Sequence, residues 1–270
     1  MIKRENVAII FPHIGGTPES EYAFEQCITS INETEPDIER IAIRNGEKCD
    51  VHRSRVKIIE QGQCKAVNAG VQTTDKEWLL ITNDDMIYPP GWFEKLIDIN
   101  LSVGKPRPLC VSPQLVEPRP GSPTFEVQPF GGAGGDFNKQ MFLDFAFGHL
   151  GSGLRTGFNL PFLIKRELWD LIGGYDINYD PWGSNSDSDL LYKIKLASVQ
   201  PYQNTNCLIY HFSQTSGTFQ SENQPFWHNN FAYFKKKWGF DRTDNGIWTA
   251  DFQMPEKERI YHPSWEGFYD

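Results

Sequence analysis

Along its first hundred residues the chain alternates short, wholly apolar runs with longer stretches in which apolar positions recur at helical spacing. Residues 7–11 are β-branched and aromatic and stop at Pro12, as a strand does. Residues 19–30 carry Tyr22, Phe24, Cys27 and Ile28, with Ile31 just beyond, and predict a helix. Residues 38–43 predict a second strand, closed by Asn45-Gly46, residues 56–59 a third, and residues 65–72 a short helix. Residues 78–82 give the strongest strand signal, because a continuous apolar run suits a central strand covered on both faces. Pro89-Pro90-Gly91 then opens a helix over residues 92–101. Strands and helices in this order predict a parallel, doubly wound α/β sheet.

Residues 104–136 break the rhythm. Seven prolines (Pro106, Pro108, Pro113, Pro118, Pro120, Pro123 and Pro129) and the run Gly131-Gly132-Ala133-Gly134-Gly135 predict a loop. It is either a plain connection or a mobile segment over a cleft. Residues 159–164 are apolar again. Residues 165–172 form an amphipathic helix around Leu168, Trp169, Leu171 and Ile172, stopped by Gly173-Gly174. Residues 187–197 predict the next helix and residues 207–211 a strand. The stretch from residue 226 to 270 is rich in Trp, Phe and Tyr.

Composition narrows the classes. A net charge of -9 over 270 residues argues against a nucleic-acid-gripping surface. The run Lys235-Lys236-Lys237 reads as a solvated helix face rather than a basic patch. The five cysteines are widely spaced with no Cys-x-x-Cys pair, which argues against a disulfide framework and a structural zinc, and for a reducing compartment. The first apolar run is too short for a signal-peptide core and no later run reaches the length of a membrane span. The expectation is a cytoplasmic protein with no transmembrane segment.

Four places carry candidate chemistry. Asn83-Asp84-Asp85 follows the central strand, where ligands of open α/β sheets bind. Adjacent carboxylates there suit a divalent cation, Mn²⁺ or Mg²⁺, that also coordinates a diphosphate; the alternative is a polar turn capping the next helix. Asp187 and Asp189 stand at a helix start behind Trp182-Gly183. One acid suffices as a cap, which leaves the other as a general base. His211 ends a strand and is either structural or a further metal ligand. Lys65 is either a phosphate contact or an exposed helix residue.

In order and spacing these segments resemble the family-2 glycosyltransferases over most of residues 7–212. Residues 7–12 resemble the family's opening strand ending in Pro. Ile41-Ala42-Ile43-Arg44-Asn45-Gly46-Glu47 is similar to its second strand and Asp-Asp-Gly-Ser-like turn, and residues 65–70 to its Lys/Arg-x-x-Asn-x-Gly segment. Residues 78–85 resemble the strand leading into an Asp-x-Asp metal motif. Gly173-Gly174-Tyr175-Asp176 is similar to the Gly-Gly-Phe-Asp turn, and Ser186-Asp187-Ser188-Asp189-Leu190 to the Glu-Asp-x-Asp-Leu motif.

The resemblance implies a GT-A fold, a Rossmann-like, doubly wound, mostly parallel sheet in a single domain. That domain spans residues 1–225, with a nucleotide-binding half at 1–103 and an acceptor and catalytic half at 104–225. An aromatic-rich extension, 226–270, packs on it. It implies a glycosyltransferase of the hexosyltransferase type, moving sugar from a nucleoside-diphosphate sugar to a hydroxyl acceptor, glycan or other, usually with inversion. By position, Asp187 is the catalytic base. Asp85 and His211 hold the Mn²⁺ or Mg²⁺. Pro12, Asn45, Glu47, Lys65, Asn83 and Asp84 meet the donor, and Trp182 and Asp189 face the acceptor. The chain departs from the family at Asn83 for Asp, at Asn45 for the nucleobase-contacting acid and at Ser186 for Glu. A catalytically inactive sugar- or partner-binding domain, a nucleotidyltransferase, transfer to a modified DNA base and a retaining mechanism stand as the competing readings.

Overall fold

The computed structural model describes residues 2–45, 58–59, 62–99, 108–120, 125–213, 215, 220–242 and 249–251, with the side chains of residues 44, 45, 58 and 59 outside that description. The N-terminal half is the predicted alternation. Strand β1 (Val7–His13) is followed by α1 (Pro18–Thr34), β2 (Glu39–Asn45), β3 (Ile58–Ile59), α2 (Gln63–Val71), β4 (Trp78–Ile81), β5 (Met86–Ile87) and α3 (Trp92–Ile97). Thr17 caps α1 by accepting from Ser20 N at 3.1 Å, with Pro18 in the first turn.

The second half holds β6 (Cys110–Glu117), β7 (Glu126–Val127), α4 (Lys139–Gly148), β8 (Leu154–Thr156), β9 (Phe162–Lys165), α5 (Arg166–Leu171), α6 (Ser186–Leu196), β10 (Tyr202–His211) and α7 (Gln224–Trp238). One sheet runs β3-β2-β1-β4-β9-β6-β10-β5, with β7 beside β6 and β8 beside β10. β3, β2, β1 and β4 pair in parallel, as expected of a doubly wound half. β9 then runs antiparallel between β4 and β6, so the sheet is mixed beyond the central strand.

The alternation along β1 divides the core. Val7, Ile9 and Phe11 pack with α1 and α3 through Phe24, Ile28, Trp92 and Phe93. Ala8 and Ile10 pack on the other face with α2, α5, α6 and α7 through Val67, Trp169, Leu190 and Trp238. At Gly70 an added Cβ would stand 2.6 Å from Ile10 Cγ2, so the absence of a side chain lets α2 lie close on β1.

Several expectations are corrected. The proline-rich stretch contains β6, a wholly buried strand. Pro113 is tolerated there because it falls opposite Asn204, where the β6–β10 register shifts and the ladder is interrupted. The glycine run is a closed turn: Asp136 Oδ1 accepts from Gly132 N, and the run lines no part of the cleft described below. The helix expected over residues 92–101 ends at Ile97, where the Asn204 amide donates to the carbonyls of Lys95 and Asp98. The lysine run is no solvated face throughout. Lys235 is exposed, but Lys237 is buried and bonds Asp176 and Asp189 at 2.7 and 2.8 Å. Cys27, Cys64, Cys110 and Cys207 are buried and free, as small core residues. Cys49 and Glu47 lie outside the described residues.

Asp189 is 0 % exposed and also accepts from Trp238 Nε1 at 2.9 Å, which ties α7 onto α6. Removing that carboxylate takes the carboxylate partner from buried Lys193 and one of the two from buried Lys237. Asp189→Ala is therefore expected to lower unfolding stability by about 3–5 kcal/mol, read as a fall in the urea midpoint at unchanged slope.

Candidate active site

Strand pairing assembles one wall of the site. β4 delivers Thr82, Asn83, Asp84 and Asp85 at its carboxyl end. β5 then pairs antiparallel with β10, setting Met86 opposite His211, so Asp85 and His211 become neighbours. On the other flank β10 runs parallel to β6 with Tyr210 opposite Val116, which brings Glu117 beside His211. The result is a relay: Glu117 Oε1 lies 2.6 Å from His211 Nδ1, and His211 Nε2 lies 3.3 Å from Asp85 Oδ1. Thr215 Oγ1 donates to Asp85 Oδ2 at 2.9 Å.

Burial alone would raise the Asp85 carboxyl, but His211 and the Thr215 hydroxyl outweigh it and hold it below the usual carboxylate range. Burial would lower His211, yet its two carboxylate neighbours push it up to about 10. Asp84 turns the other way, to the fully buried His13 ring, which stacks on Phe24. Burial raises the Asp84 carboxyl and His13 opposes that rise.

The opposite wall is the start of α6. Gly183 and Asn185 both hold left-handed backbone (φ 68° each), which turns the chain sharply from Trp182 into the helix. Asp187 sits in the first turn. Its Oδ1 accepts from the Tyr175 hydroxyl at 2.7 Å. Tyr175 is pinned in turn by Asn68 of α2, whose amide donates to Tyr175 O at 2.8 Å and accepts from Tyr175 N at 3.0 Å. Burial pushes the Asp187 carboxyl up to about 6, against the Tyr175 hydrogen bond and the charge of Arg242.

Both walls face one cleft of about 320 Å³. It is lined by Pro12, Asn83, Asp84, Asp85, Trp182, Asp187 and His211 among the expected residues, joined by Tyr175, Trp227 and Arg242. Two expected residues are elsewhere. Asp189 faces away, bound to Lys237 and Trp238, because two positions along a helix turn a side chain about 200° around the axis. Lys65 does not line the cleft; its amide and that of Cys64 donate to Asp180, which caps α2. Asn45 ends β2, with its side chain outside the described residues.

The residues on the first wall fit a divalent cation. Asp85 Oδ1 is buried and lacks a hydrogen bond, and His211 Nε2 faces it with the other ring nitrogen fixed by Glu117, the arrangement that orients a metal-bound imidazole. Among the described residues no group of three His, Cys, Asp or Glu side chains is arranged to hold a metal by itself. The remaining coordination positions are left to ligand oxygens and water.

Residues 21–101 match the family described as glycosyl transferase family 2. The structure is similar to that of GalNAc-T7 with UDP, GalNAc and Mn²⁺, at TM-score 0.56 and 15% identity, over 86% of this chain and 48% of that one. It is also similar to the mannosyltransferase PcManGT from Pyrobaculum calidifontis in complex with GDP-Man and Mn²⁺, at TM-score 0.52 and 14% identity, over 88% and 66% respectively. The chain thus spans about half the length of the first and under two thirds of the second. No curated protein matches it. Among the described residues no helix is long and apolar enough to cross a membrane.

Tyr175→Phe removes the hydroxyl that stabilises the Asp187 carboxylate. The carboxyl is then expected to titrate above about 6, by roughly one unit, as followed by ¹³C NMR of labelled aspartate carboxyls.

Proposed function

This chain is family-2-like and has the GT-A fold, and we propose that it transfers a sugar, with inversion, from a nucleoside-diphosphate sugar to a hydroxyl acceptor. The observation that carries the reading is the single cleft in which Asp85 with His211 on one wall faces Asp187 on the other. Asp187 has the position and the raised carboxyl pKa of a general base working near neutral pH. It takes the proton of the acceptor hydroxyl. The acceptor oxygen forms a bond to the anomeric carbon as the bond from that carbon to the diphosphate breaks, and the nucleoside diphosphate leaves with the electron pair.

Asp85 and His211 would hold a Mn²⁺ or Mg²⁺, with Glu117 fixing the His211 ring. When bound, that cation neutralises charge developing on the leaving diphosphate. Thr215 holds the second Asp85 oxygen, which leaves Oδ1 to face the cation. Pro12, Asn83 and Asp84 line the donor side, and Asn83 is braced by Gln63. Asn45 and Glu47 are assigned to the donor by the family pattern alone. Trp182 offers a ring to the acceptor beside the base.

The test is release of nucleoside diphosphate from a panel of nucleotide sugars with Mn²⁺ and with Mg²⁺; no release and no binding with any of them removes the proposal. Asp187→Asn is expected to lower turnover about 10²–10⁴-fold. Its stability moves the other way. A carboxyl held up at about 6 favours the fold below the unfolded value of 3.8, and that contribution is lost as pH rises through 6. At pH 7.5 the variant is therefore expected to melt no lower than the parent. In the parent, kcat/KM falls as pH drops below about 6. Glu117→Gln is expected to raise the Mn²⁺ concentration for half-maximal turnover about 10–100-fold.

A further inference from the structure

The cleft is rich in carboxylates. Asp84, Asp85 and Asp187 line it, in a chain whose net charge is -9. Among the described lining residues Arg242 is the only Lys or Arg. Its place and its hold are specific. The guanidinium carbon lies 5.3 Å from the centroid of the Phe231 ring, and Nη1 donates to Ser188 Oγ at 3.3 Å. The ring contact and the hydrogen bond together restrain the group, so less freedom is lost when it meets a planar or tetrahedral oxyanion.

Arg242 stands at the base end of the cleft. Ser188 is the residue after Asp187, and the charge of Arg242 is felt at the Asp187 carboxyl. Asp85 and His211 occupy the other wall. Trp227, on the first turns of α7, lines the same cleft while keeping 36 % of its surface exposed. A neutral sugar alcohol needs no guanidinium beside the base. Asp84 faces His13 and Asp85 faces His211, so Asp187 is the carboxylate that a charged acceptor meets beside the reacting hydroxyl, and Arg242 offsets it.

We infer that Arg242 binds a carboxylate or phosphate carried by the acceptor close to the hydroxyl that receives the sugar, with Trp227 against the acceptor's apolar face. This rests on the reading of Asp187 as the base, and it names the class of acceptor: an acidic sugar or a sugar phosphate, the phosphate being free or part of a larger headgroup. The residues that select it lie on α7 and just after it, outside the segment that matches the family.

The experiment compares matched acceptors on the full chain with Mn²⁺: methyl glucoside, methyl glucuronide and glucose 6-phosphate, with the donor found by diphosphate release. A charged acceptor is expected to exceed the neutral one about tenfold or more in kcat/KM. Arg242→Gln is expected to collapse that ratio toward one, and Arg242→Lys to keep part of it. The carboxylate and phosphate arms separate the two sources of charge. Equal use of charged and neutral acceptors by the parent overturns the inference. So does a rise in donor KM in Arg242→Gln with the acceptor ratio unmoved, which would place the guanidinium on the diphosphate.

Saturation-transfer NMR of the same three probes without donor gives a second reading that needs no turnover. Binding of a charged probe that is lost in Arg242→Gln supports the inference even if every donor fails, in which case the transferase reading falls alone. Absence of any preference for charge in that measurement overturns it.

Discussion

One buried carboxylate sets the geometry of the C-terminal half. Asp189 is enclosed by Lys237, Lys193, Trp238 and Tyr179, and through them it joins α6, α7 and the turn before α6. An ion taken out of water survives only where partners are held in place. Those partners come from two helices and a turn, so the arrangement of all three is specified at once. With Asp189 committed inward, helical geometry directs Asp187 outward on the opposite side of the same turn. Asp176, which bonds Lys237 and Tyr233, extends the lock to the glycine turn after α5.

Much of the N-terminal half was legible because its signals are local. Apolar runs with a proline or an asparagine-glycine stop gave β1 and β2, and the continuous run at Trp78 gave β4. What was missed is polar and buried. β10 begins at Tyr202, five residues before its apolar run, because Gln203 and Asn204 are buried with their amides bonded to Pro113, Asn159, Lys95 and Asp98. β6 was hidden behind Pro113 for a related reason: the bulge that accommodates it lies on a strand ninety residues later. Neither fact is present in a window of sequence.

The candidate site divides in the same way. Asp85, Asp187, His211 and Trp182 stand where the motif order puts them, on the cleft. Asp189 and Lys65 do not, and the difference between a lining acid and a buried one is a matter of helix phase and of which lysine approaches from afar. Glu117 and Arg242 carried no readable signal, and Tyr175 carried one weak cue. Glu117 is found only through strand register, and Tyr175 only through the Asn68 clamp. The lone cue for Tyr175 was its hydroxyl in a turn where the family pattern has Phe.

The clamp between Asn68 and Tyr175 has a consequence for how such a scaffold diversifies. The orientation of the proposed base is written by residues 62–70 and 174–187, whereas the wall proposed to hold the cation is written by residues 83–85, 117 and 211. Apart from the contact of Gln63 with Asn83, the two inheritances face each other across the cleft. On the proposed reaction, a lineage can therefore exchange the helix that greets the incoming alcohol without retuning the grip on the departing group, and keep a working reaction centre while its customers change.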